Sequence, residues 1–297
     1  MEKVTFRAAV PDDLPEMGEL FTKRPAEERT ARMKSRYAIE PTGWHVAERD
    51  GVIVGCCQVV FPRPGDAWLQ WMRIRPSEQG SGIGGAFSDY VEAQALRGGA
   101  KTVRLNTMVS NKRVHNMMGG ARGYTEWARW TRLTGLSRSQ AFSLARLREV
   151  SETTDADRVM EWLEAQEGHA AAFAAVTCPT DYKKTVSLDP ALLRSLMRKK
   201  KGRRAGCVIA EQDGAIEGVA LYAVRKGELR VLQLVASTKS GGLAAAGGAV
   251  SKARPRDRVS IQAAGAEEGL LRQLEAKFRK NGSKRHDFYV FGKRLEE

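Results

Sequence analysis

The alternation of apolar and polar positions along the chain predicts short strands and amphipathic helices in a mixed order. Apolar residues from Phe87 to Ala95 recur at helical spacing, and Gly98-Gly99 follows where that helix should end. The first half is predicted to contain a strand near 3–8, helices near 12–22 and 26–37, hairpin strands near 44–49 and 52–61, a strand near 67–75, a helix near 83–97, a strand near 102–108, a helix near 111–118 and closing strands near 124–134.

The second half repeats this order, and a short segment repeats in sequence as well. Residues 47–55 read AERDGVIVG and residues 210–218 read AEQDGAIEG. Asp-Gly between β-prone runs is typical of a tight antiparallel hairpin. The remaining predicted elements are a strand near 143–149, helices near 155–166 and 189–199, a hairpin at 206–225, a strand near 228–236, a helix near 241–253, a strand near 257–263, a helix near 266–280 and a last strand at 287–295.

The repeat predicts an α/β chain of two tandem domains, each a mostly antiparallel central sheet flanked by helices. Its 297 residues suit two domains of ordinary size. We expect the first domain to cover residues 1–136 and the second to cover 137–297, with the boundary in a polar stretch that begins at Gly135.

Composition indicates where the protein is located and which kinds of site it lacks. No apolar run approaches the roughly 20 residues that cross a bilayer, and the first residues lack the apolar stretch of a signal peptide. A cytoplasmic protein without a membrane partner is therefore expected, as a monomer or a homodimer. The four cysteines and four histidines show no zinc-type spacing, so we expect reduced, mostly buried thiols and no metal site.

A net charge of +14 favours polyanionic partners. The densest basic run spans residues 198–204, but no aromatic residue is interleaved with its charges for base stacking. A solvated basic loop is favoured over a nucleic-acid surface, which stays open as an alternative.

The segment Gln79-Gly80-Ser81-Gly82-Ile83-Gly84 is the strongest chemical signal. It lies between a predicted strand and the start of a predicted helix. Its glycines permit positive φ angles and close approach of a ligand to the main chain. The first N–H groups of a helix lack partners inside the helix, so this turn should bind a phosphate or diphosphate.

Two familiar phosphate-binding loops fit this turn poorly. A Walker A loop needs Gly-Lys followed by Ser or Thr, whereas Gly84-Gly85-Ala86 stands here. The spacing of Gly80, Gly82 and Gly85 satisfies the dinucleotide pattern, but Asn106 occupies the place of the expected acidic residue. A glycine loop without a ligand is disfavoured, because three glycines at a helix start lower stability.

The order of elements and this turn resemble the GNAT superfamily of acyl-CoA-dependent N-acyltransferases. The resemblance covers the first half, where the Q-x-x-G-x-G motif lies between the fourth strand and the third helix. The matching residues are Ile74-Arg75-Pro76, Gln79 to Gly84, Asn111 and Gly123-Tyr124. The second half has the element order but not the motif, since Ser237-Thr238-Lys239-Ser240-Gly241-Gly242 stands there. The second domain is therefore expected to be a degenerate copy without the cofactor.

The resemblance implies that acetyl-CoA lies between the fourth and fifth strands. Main-chain groups of the fourth strand would bind the pantetheine arm and polarise the thioester carbonyl, those of the turn would bind the diphosphate, and Asn111 would contact the pantetheine. An amine would then attack the thioester directly. The implied cofactor-binding residues are Met72, Arg73, Ile74, Arg75, Gln79, Gly80, Ser81, Gly82, Ile83, Gly84 and Asn111.

The chain departs from the family pattern at the acid and the base. Gln70 and Trp71 stand where a fourth-strand carboxylate is usual, and Met117 stands near the position of the usual tyrosine. His115 and Tyr124 are the remaining candidates, although a structural role is favoured for each. No catalytic residue is assigned.

Two functions of different classes follow from these observations. The favoured one is an N-acetyltransferase that transfers an acetyl group from acetyl-CoA to a primary amine of a small molecule, an amino acid or a protein. The alternative is a catalytically silent module that senses acyl-CoA or binds RNA through its basic surface.

Overall fold

The computed structural model describes residues 4–21, 25–120, 122–139, 141–166, 176–177, 185–198, 204–264, 266, 268–279 and 283–295. The chain divides into two compact units. The first comprises Met1–Leu105, Met117–Tyr124 and Gly292–Glu297, and the second comprises Asn106–Asn116 and Thr125–Phe291. The loop around His169, Cys178 and the centre of the basic run at 198–204 lie outside the described residues.

The described helices follow the predicted order closely. Short 3-10 turns at Pro11–Asp13 and Pro76–Glu78 precede α1 and α3. The α-helices are α1 Leu14–Glu19, α2 Ala26–Ile39, α3 Ile83–Arg97, α4 Lys112–Met118, α5 Ala141–Ala145, α6 Ala156–Glu164, α7 Pro190–Met197, α8 Lys239–Ser251 and α9 Glu268–Phe278.

The strands also follow the predicted order. They are β1 Val4–Ala8, β2 Trp44–Arg49, β3 Val52–Arg63, β4 Asp66–Ile74, β5 Thr102–Met108, β6 Thr125–Thr134, β7 Glu149–Thr153, β8 Val176–Thr177, β9 Thr185–Val186, β10 Arg204–Gln212, β11 Ala215–Arg225, β12 Glu228–Ala236, β13 Arg258–Ala264 and β14 Lys284–Arg294.

The first unit has strand order β1-β2-β3-β4-β5. The pairs from β1 to β4 are antiparallel and β4 pairs with β5 in parallel. Helix α3 makes the crossover between the parallel strands, which cannot be joined by a tight turn. Its residues Phe87, Val91 and Ala95 are fully buried, as their helical spacing predicts.

The second unit contains the same pattern, with order β7-β10-β11-β12-β13 followed by β6 and β14. Strands β7, β10, β11 and β12 are antiparallel, and β12 pairs with β13 in parallel. The α/β class with mixed sheets and flanking helices is thus confirmed.

The two Asp-Gly hairpins agree in detail. Asp50 and Asp213 both have a φ of 52°, and Gly51 and Gly214 follow with φ of 76° and 78°. Each hairpin also has a register shift at the equivalent Ala-Glu pair, Ala47/Glu48 in one and Ala210/Glu211 in the other. The repeated sequence therefore encodes a repeated backbone.

The structure differs from the prediction in several places, and one of them is the two-stranded sheet of β8 and β9, which was not predicted. The strand predicted near 143–149 is wrong: α5 ends at Ala145 and β7 begins at Glu149. The predicted boundary at 136/137 does not coincide with the compact units, because β6 pairs with β13 through Thr131↔Ala263 and Leu133↔Ile261. This ladder groups residues 125–134 with the second unit.

Candidate functional site

The fourth strand of the first unit carries a β-bulge near its end. In the register of the two strands, Cys56 pairs with Arg73 and Gln58 pairs with Gln70. Two residues of β4, Trp71 and Met72, therefore lie opposite the single residue Cys57 of β3. Trp71 has a φ of 61°, an uncommon conformation for a large side chain. Bulges re-aim side chains and main-chain groups, and they are frequent beside active sites.

Two buried thiols lie against the carbonyls of this bulge. The Sγ of Cys56 lies 3.6 Å from the carbonyl oxygen of Trp71, and the Sγ of Cys57 lies 3.6 Å from that of Gln70. Burial raises the pKa of Cys56 to about 12, so this thiol stays protonated. Cys56, Cys57 and Cys207 are free and buried, in agreement with the expected reduced thiols.

The parallel ladder between β4 and β5 is short. It joins Asp66 to Thr102, Ala67 to Val103 and Trp68 to Arg104. Among the described residues, the part of β4 from 69 to 74 has no ladder pair with β5. Main-chain groups of Met72 and Arg73, both predicted to contact the pantetheine, lie in this second part of the strand.

The turn after β4 has the predicted geometry. Gly80 and Gly82 have φ angles of 94° and 87°, and Gly82 is the N-cap of α3 without any side-chain cap. The first hydrogen bond of the helix runs from the amide of Gly85 to the carbonyl of Gly82 at 3.1 Å. Within this described turn, the amides of residues 80–84 make no main-chain hydrogen bond inside the protein.

The space around the missing side chains of Gly80 and Gly82 is open. A Cβ added to Gly80 or Gly82 would meet no atom within 4 Å, and one added to Gly84 would lie 3.6 Å from the Cγ1 of Ile74. Gly80, Ser81 and Gly82 are exposed. Gly80 and Gly82 are thus needed for their positive φ angles and not for packing against the protein.

Side-chain hydrogen bonds hold the turn against the end of β4. Gln79 donates from Nε2 to the carbonyl of Ile74 at 2.9 Å, and the hydroxyl of Ser81 donates to the carbonyl of Glu78 at 2.7 Å. The Nη1 of Arg49 lies 2.5 Å from the Oε2 of Glu78. The glutamine of the motif therefore fixes the turn, while the glycine amides stay available.

The equivalent helix of the second unit starts differently. Thr238 caps α8, because its hydroxyl accepts from the amide of Gly241 at 3.0 Å. A Cβ on Gly241 would lie 2.5 Å from the Cβ of Glu217, and one on Gly242 would lie 2.6 Å from Leu270. Side chains thus occupy this helix start, unlike the open start of α3.

Tyr124 lies in a buried ionic cluster. Its hydroxyl donates to the Oε1 of Glu92 at 3.1 Å, and Glu92 also pairs with Lys293 at 2.9 Å and Arg122 at 3.4 Å. Tyr124 is 4% exposed and Glu92 is 6% exposed. Burial, together with the Glu92 carboxylate, raises the pKa of Tyr124 well above its usual range.

His115 and Asn111 belong to the second unit. The ring of His115 lies 4.8 Å from that of Tyr289 and 5.4 Å from that of Phe291. Asn111 donates from Nδ2 to the hydroxyl of Thr107 at 3.0 Å. Both residues thus have contacts of their own, and their predicted functional roles stay predictions.

A chain of hydrogen-bonded side-chain amides lies beside β4 and was not predicted from the sequence. Gln70 donates to Gln58 at 2.8 Å and to the Oε2 of Glu40 at 3.3 Å. Gln58 in turn donates to the carbonyls of Glu40 and Thr42, each at 3.0 Å. The sequence does contain an indication of this network, because Gln58 is the one polar side chain in the apolar run from Val52 to Phe61.

Comparisons with known proteins agree with this geometry. Residues 14–124 match the model of the acetyltransferase (GNAT) family. A GCN5-related N-acetyltransferase from Sphaerobacter thermophilus is 15% identical and has a TM-score of 0.53, with 99% of this chain and 96% of that chain covered. A proposed acetyltransferase from Thermoplasma acidophilum is 13% identical with a TM-score of 0.52, over 98% of this chain and 100% of the other. Both likenesses concern the fold. A comparison with curated proteins gives no match.

Proposed function

We propose that this chain, whose residues 14–124 match the model of the acetyltransferase (GNAT) family, is an N-acetyltransferase. It transfers an acetyl group from acetyl-CoA to a primary amine. The observation that carries the proposal is the start of α3, where no side chain caps the helix and the amides of residues 80–84 make no main-chain hydrogen bond within the described part of the chain. Such an array of N–H groups at the positive end of a helix dipole suits a diphosphate.

The residues of the first unit supply binding and orientation. The turn from Gln79 to Gly84 would bind the diphosphate, and the bulged end of β4 from Met72 to Arg75 would bind the pantetheine arm and donate to the thioester oxygen. Fixed N–H donors at a developing oxyanion are an effective source of catalysis. Asn111 is proposed as a further pantetheine contact.

The reaction itself is a direct transfer. The amine nitrogen bonds to the thioester carbonyl carbon, the C–S bond breaks, and the proton lost by nitrogen balances the thiolate that leaves. An ordinary alkylammonium has a pKa near 10.4, so a proton acceptor or a water chain is needed. His115 stays a candidate for this acceptor, and Glu40 beside Gln70 joins it. Tyr124, whose hydroxyl donates to Glu92, stays a candidate for the acid that protonates the leaving thiolate.

The proposal assigns the acyl-CoA site to a first domain at 1–136 and treats 137–297 as a degenerate GNAT-like domain. The repeated strand order and hairpins support the duplication. The capped and filled start of α8 supports the absence of a cofactor there.

The setting we propose is the cytoplasm, with a monomer or homodimer and no membrane partner; a nucleic-acid partner is the disfavoured alternative. In the described part of the chain, none of the helices has the length and apolar character needed to span a membrane.

Thiol release from acetyl-CoA, measured against a panel of primary amines, tests the proposal together with calorimetric titration of acetyl-CoA. The proposal predicts binding and amine-dependent thiol release. Binding without thiol release from any amine would favour the silent sensor. Salt-sensitive RNA binding without acetyl-CoA binding would favour the nucleic-acid module.

A further inference from the structure

Arg122 lies beside the start of α3, in the loop that leads to β6. Its Nη1 is 3.4 Å from the position that a Cβ on Gly85 would occupy. The amide of Gly85 donates to the carbonyl of Gly82, so Gly85 belongs to the first turn of the helix. The guanidinium group of Arg122 therefore packs against the same helix start whose amides are proposed to bind the diphosphate.

Tyr124 holds this loop against the side of α3. Its hydroxyl donates to the Oε1 of Glu92 at 3.1 Å, and the Nη2 of Arg122 lies 3.4 Å from the same oxygen. Tyr124 and Glu92 are both buried. Because Arg122 is only two positions before this buried tyrosine, the anchor restricts the arginine to the side of the helix that leads to Gly85.

The guanidinium group of Arg122 has donors that the protein does not use. Its Nη2 contacts Asp89 and Glu92, whereas Nη1 makes no hydrogen bond with any residue that the structure describes. The Nε is buried and also lacks a partner among the described residues. Such unused donors are rare in native proteins. An anion bound at the start of α3 would supply the acceptor that Nη1 lacks.

The two carboxylates beside Arg122 do not need its whole charge. Glu92 also pairs with Lys293 at 2.9 Å and accepts from Tyr124, so this buried carboxylate keeps partners of its own. Asp89 is 72% exposed, and an ion pair with an exposed carboxylate contributes little to stability. The first turn of α3 contains no acidic residue. The charge of Arg122 can therefore act on an anion at this helix start.

We infer that Arg122 is a specificity residue that binds a phosphate group of the coenzyme A thioester. The inference rests on the proposed function, because the phosphate belongs to the acyl donor assigned there. Arginine suits this role, since its planar N–H donors match phosphate oxygens in pairs. The diphosphate and the 3′-phosphate of coenzyme A offer the same chemistry, and ligands with and without the 3′-phosphate distinguish them.

Calorimetric titration of two ligands into two proteins tests the contact. Coenzyme A and 3′-dephospho-coenzyme A are titrated into wild type and into Arg122→Gln. The substitution should weaken coenzyme A binding about tenfold, because a charge-assisted hydrogen bond to phosphate is lost. An equal loss for both ligands would assign the contact to the diphosphate. A loss for coenzyme A alone would assign it to the 3′-phosphate.

Two further arginine substitutions control for charge and shape. Arg122→Lys should recover only part of the affinity, because lysine lacks the planar fork. Arg97→Gln removes the same charge from the exposed last turn of α3, about 18 Å along the helix from Gly85, and it should keep the wild-type affinity. Unchanged coenzyme A affinity in a folded Arg122→Gln variant, or an equal loss in Arg97→Gln, would overturn the inference.

Asp89→Asn tests the same contact with the arginine left in place. This variant should strengthen coenzyme A binding about two- to threefold, because the exposed carboxylate no longer competes with the phosphate for Arg122. The gain should shrink when Arg122→Gln is also present. A lower denaturation midpoint with unchanged coenzyme A affinity would show that Arg122 only holds α3 through Asp89, and it would overturn the inference.

Thiol release from acetyl-CoA separates this inference from the proposed function. Amine-dependent release by wild type, with the same KM for acetyl-CoA in Arg122→Gln, would overturn the arginine contact while the transferase function stands. Coenzyme A binding that depends on Arg122, with no thiol release from any amine, would support the contact and overturn the transferase function. Failure of wild type to bind coenzyme A would overturn both.

Discussion

Single residues determine whether the turn after β4 can bind an anion. Gly80 and Gly82 both have positive φ angles and open space around the missing side chain. Gln79 fixes the turn to β4 through the carbonyl of Ile74. The role of the two glycines follows from the motif, since glycine at a strand-to-helix turn predicts a positive φ. The structure adds which hydrogen bonds hold the turn against β4.

Replacing Gly82 should lower stability because of the backbone and not because of packing. An L-residue at a φ of 87° is strained, so Gly82→Ala should lower the free energy of unfolding by about 1–2 kcal/mol. Gly84→Ala is the control, since Gly84 lies inside α3 with room for a Cβ, and it should be neutral or stabilising. Chemical denaturation measures the free energy of unfolding of both variants. Equal losses of stability would contradict the conclusion that the backbone at Gly82 is the source of the strain.

Tyr124 offers a test between structural and catalytic roles. Its buried hydroxyl donates to the Glu92 carboxylate, and a hydrogen bond to a charged group contributes about 1.5–3 kcal/mol. We therefore expect Tyr124→Phe to lose stability in that range, measured by denaturation, and to keep its kcat for thiol release. A stable variant with a much lower kcat would instead identify Tyr124 as the acid.

Other residues of the site could not be predicted one at a time. The bulge at Trp71 depends on the register between β3 and β4, which the sequence of either strand alone does not determine. The Glu92 cluster joins residues 92, 122, 124 and 293, and such long-range pairs leave no local pattern.

At the scale of elements, two helices in equivalent places have opposite starts. The start of α3 is uncapped and open, whereas Thr238, Glu217 and Arg148 close the start of α8. The missing motif at residues 237–242 predicted a difference between the two helix starts, and the absence of a cofactor there stays a prediction. The cap from Thr238 and the ion pair between Arg148 and Glu217 became visible only with the fold.

The ion pair at α8 should make stability depend on pH. The Arg148 guanidinium, with help from Thr238, holds the pKa of Glu217 below its ordinary value near 4.5. The contribution of this ion pair to the free energy of unfolding is therefore present above pH 4.5, and it is lost as the pH falls through the lower pKa that Glu217 has in the folded protein. Arg148→Met should lower the denaturation midpoint at pH 7, and the difference from wild type should shrink at pH 3. A constant difference would contradict the linkage.

The strand that was wrongly predicted at 143–149 has its explanation in the packing of two helices. The five-residue helix α5 packs on α8 where a Cβ on Gly247 would meet the carbonyl of Ala141 at 2.7 Å and the amide of Ala145 at 2.8 Å. This close approach of two backbones needs the glycine of a distant helix. A short apolar run such as AFSLA does not by itself distinguish a helix from a strand.

At the scale of the whole molecule, the repeat predicted a strand order that the structure contains, while the boundary at 136/137 stays a prediction. The strand order and hairpin turns recur in both units. The division of the chain into compact units follows sheet pairing, and β6 pairs with β13. The pairing of β6 with β13 joins residues that are far apart in the sequence, and no local pattern indicates such a pairing.

The direct test of the central claim is the affinity for acetyl-CoA when a carboxylate is placed among the turn amides. Gly84→Asp adds an acidic residue to the first turn of α3, which the helix dipole favours by about 0.3–1 kcal/mol, so the fold should be kept. Repulsion between that carboxylate and the diphosphate should weaken binding about tenfold or more. Ser77→Asp, on the exposed 3-10 turn, and Gly84→Ala serve as the charge and backbone controls.

Calorimetric titration of acetyl-CoA into wild type and these three variants is the deciding measurement. The account predicts tight binding to wild type, a small change in both controls and the large loss in Gly84→Asp alone. Unchanged affinity in a folded Gly84→Asp variant would contradict the claim that the amides of residues 80–84 bind the diphosphate.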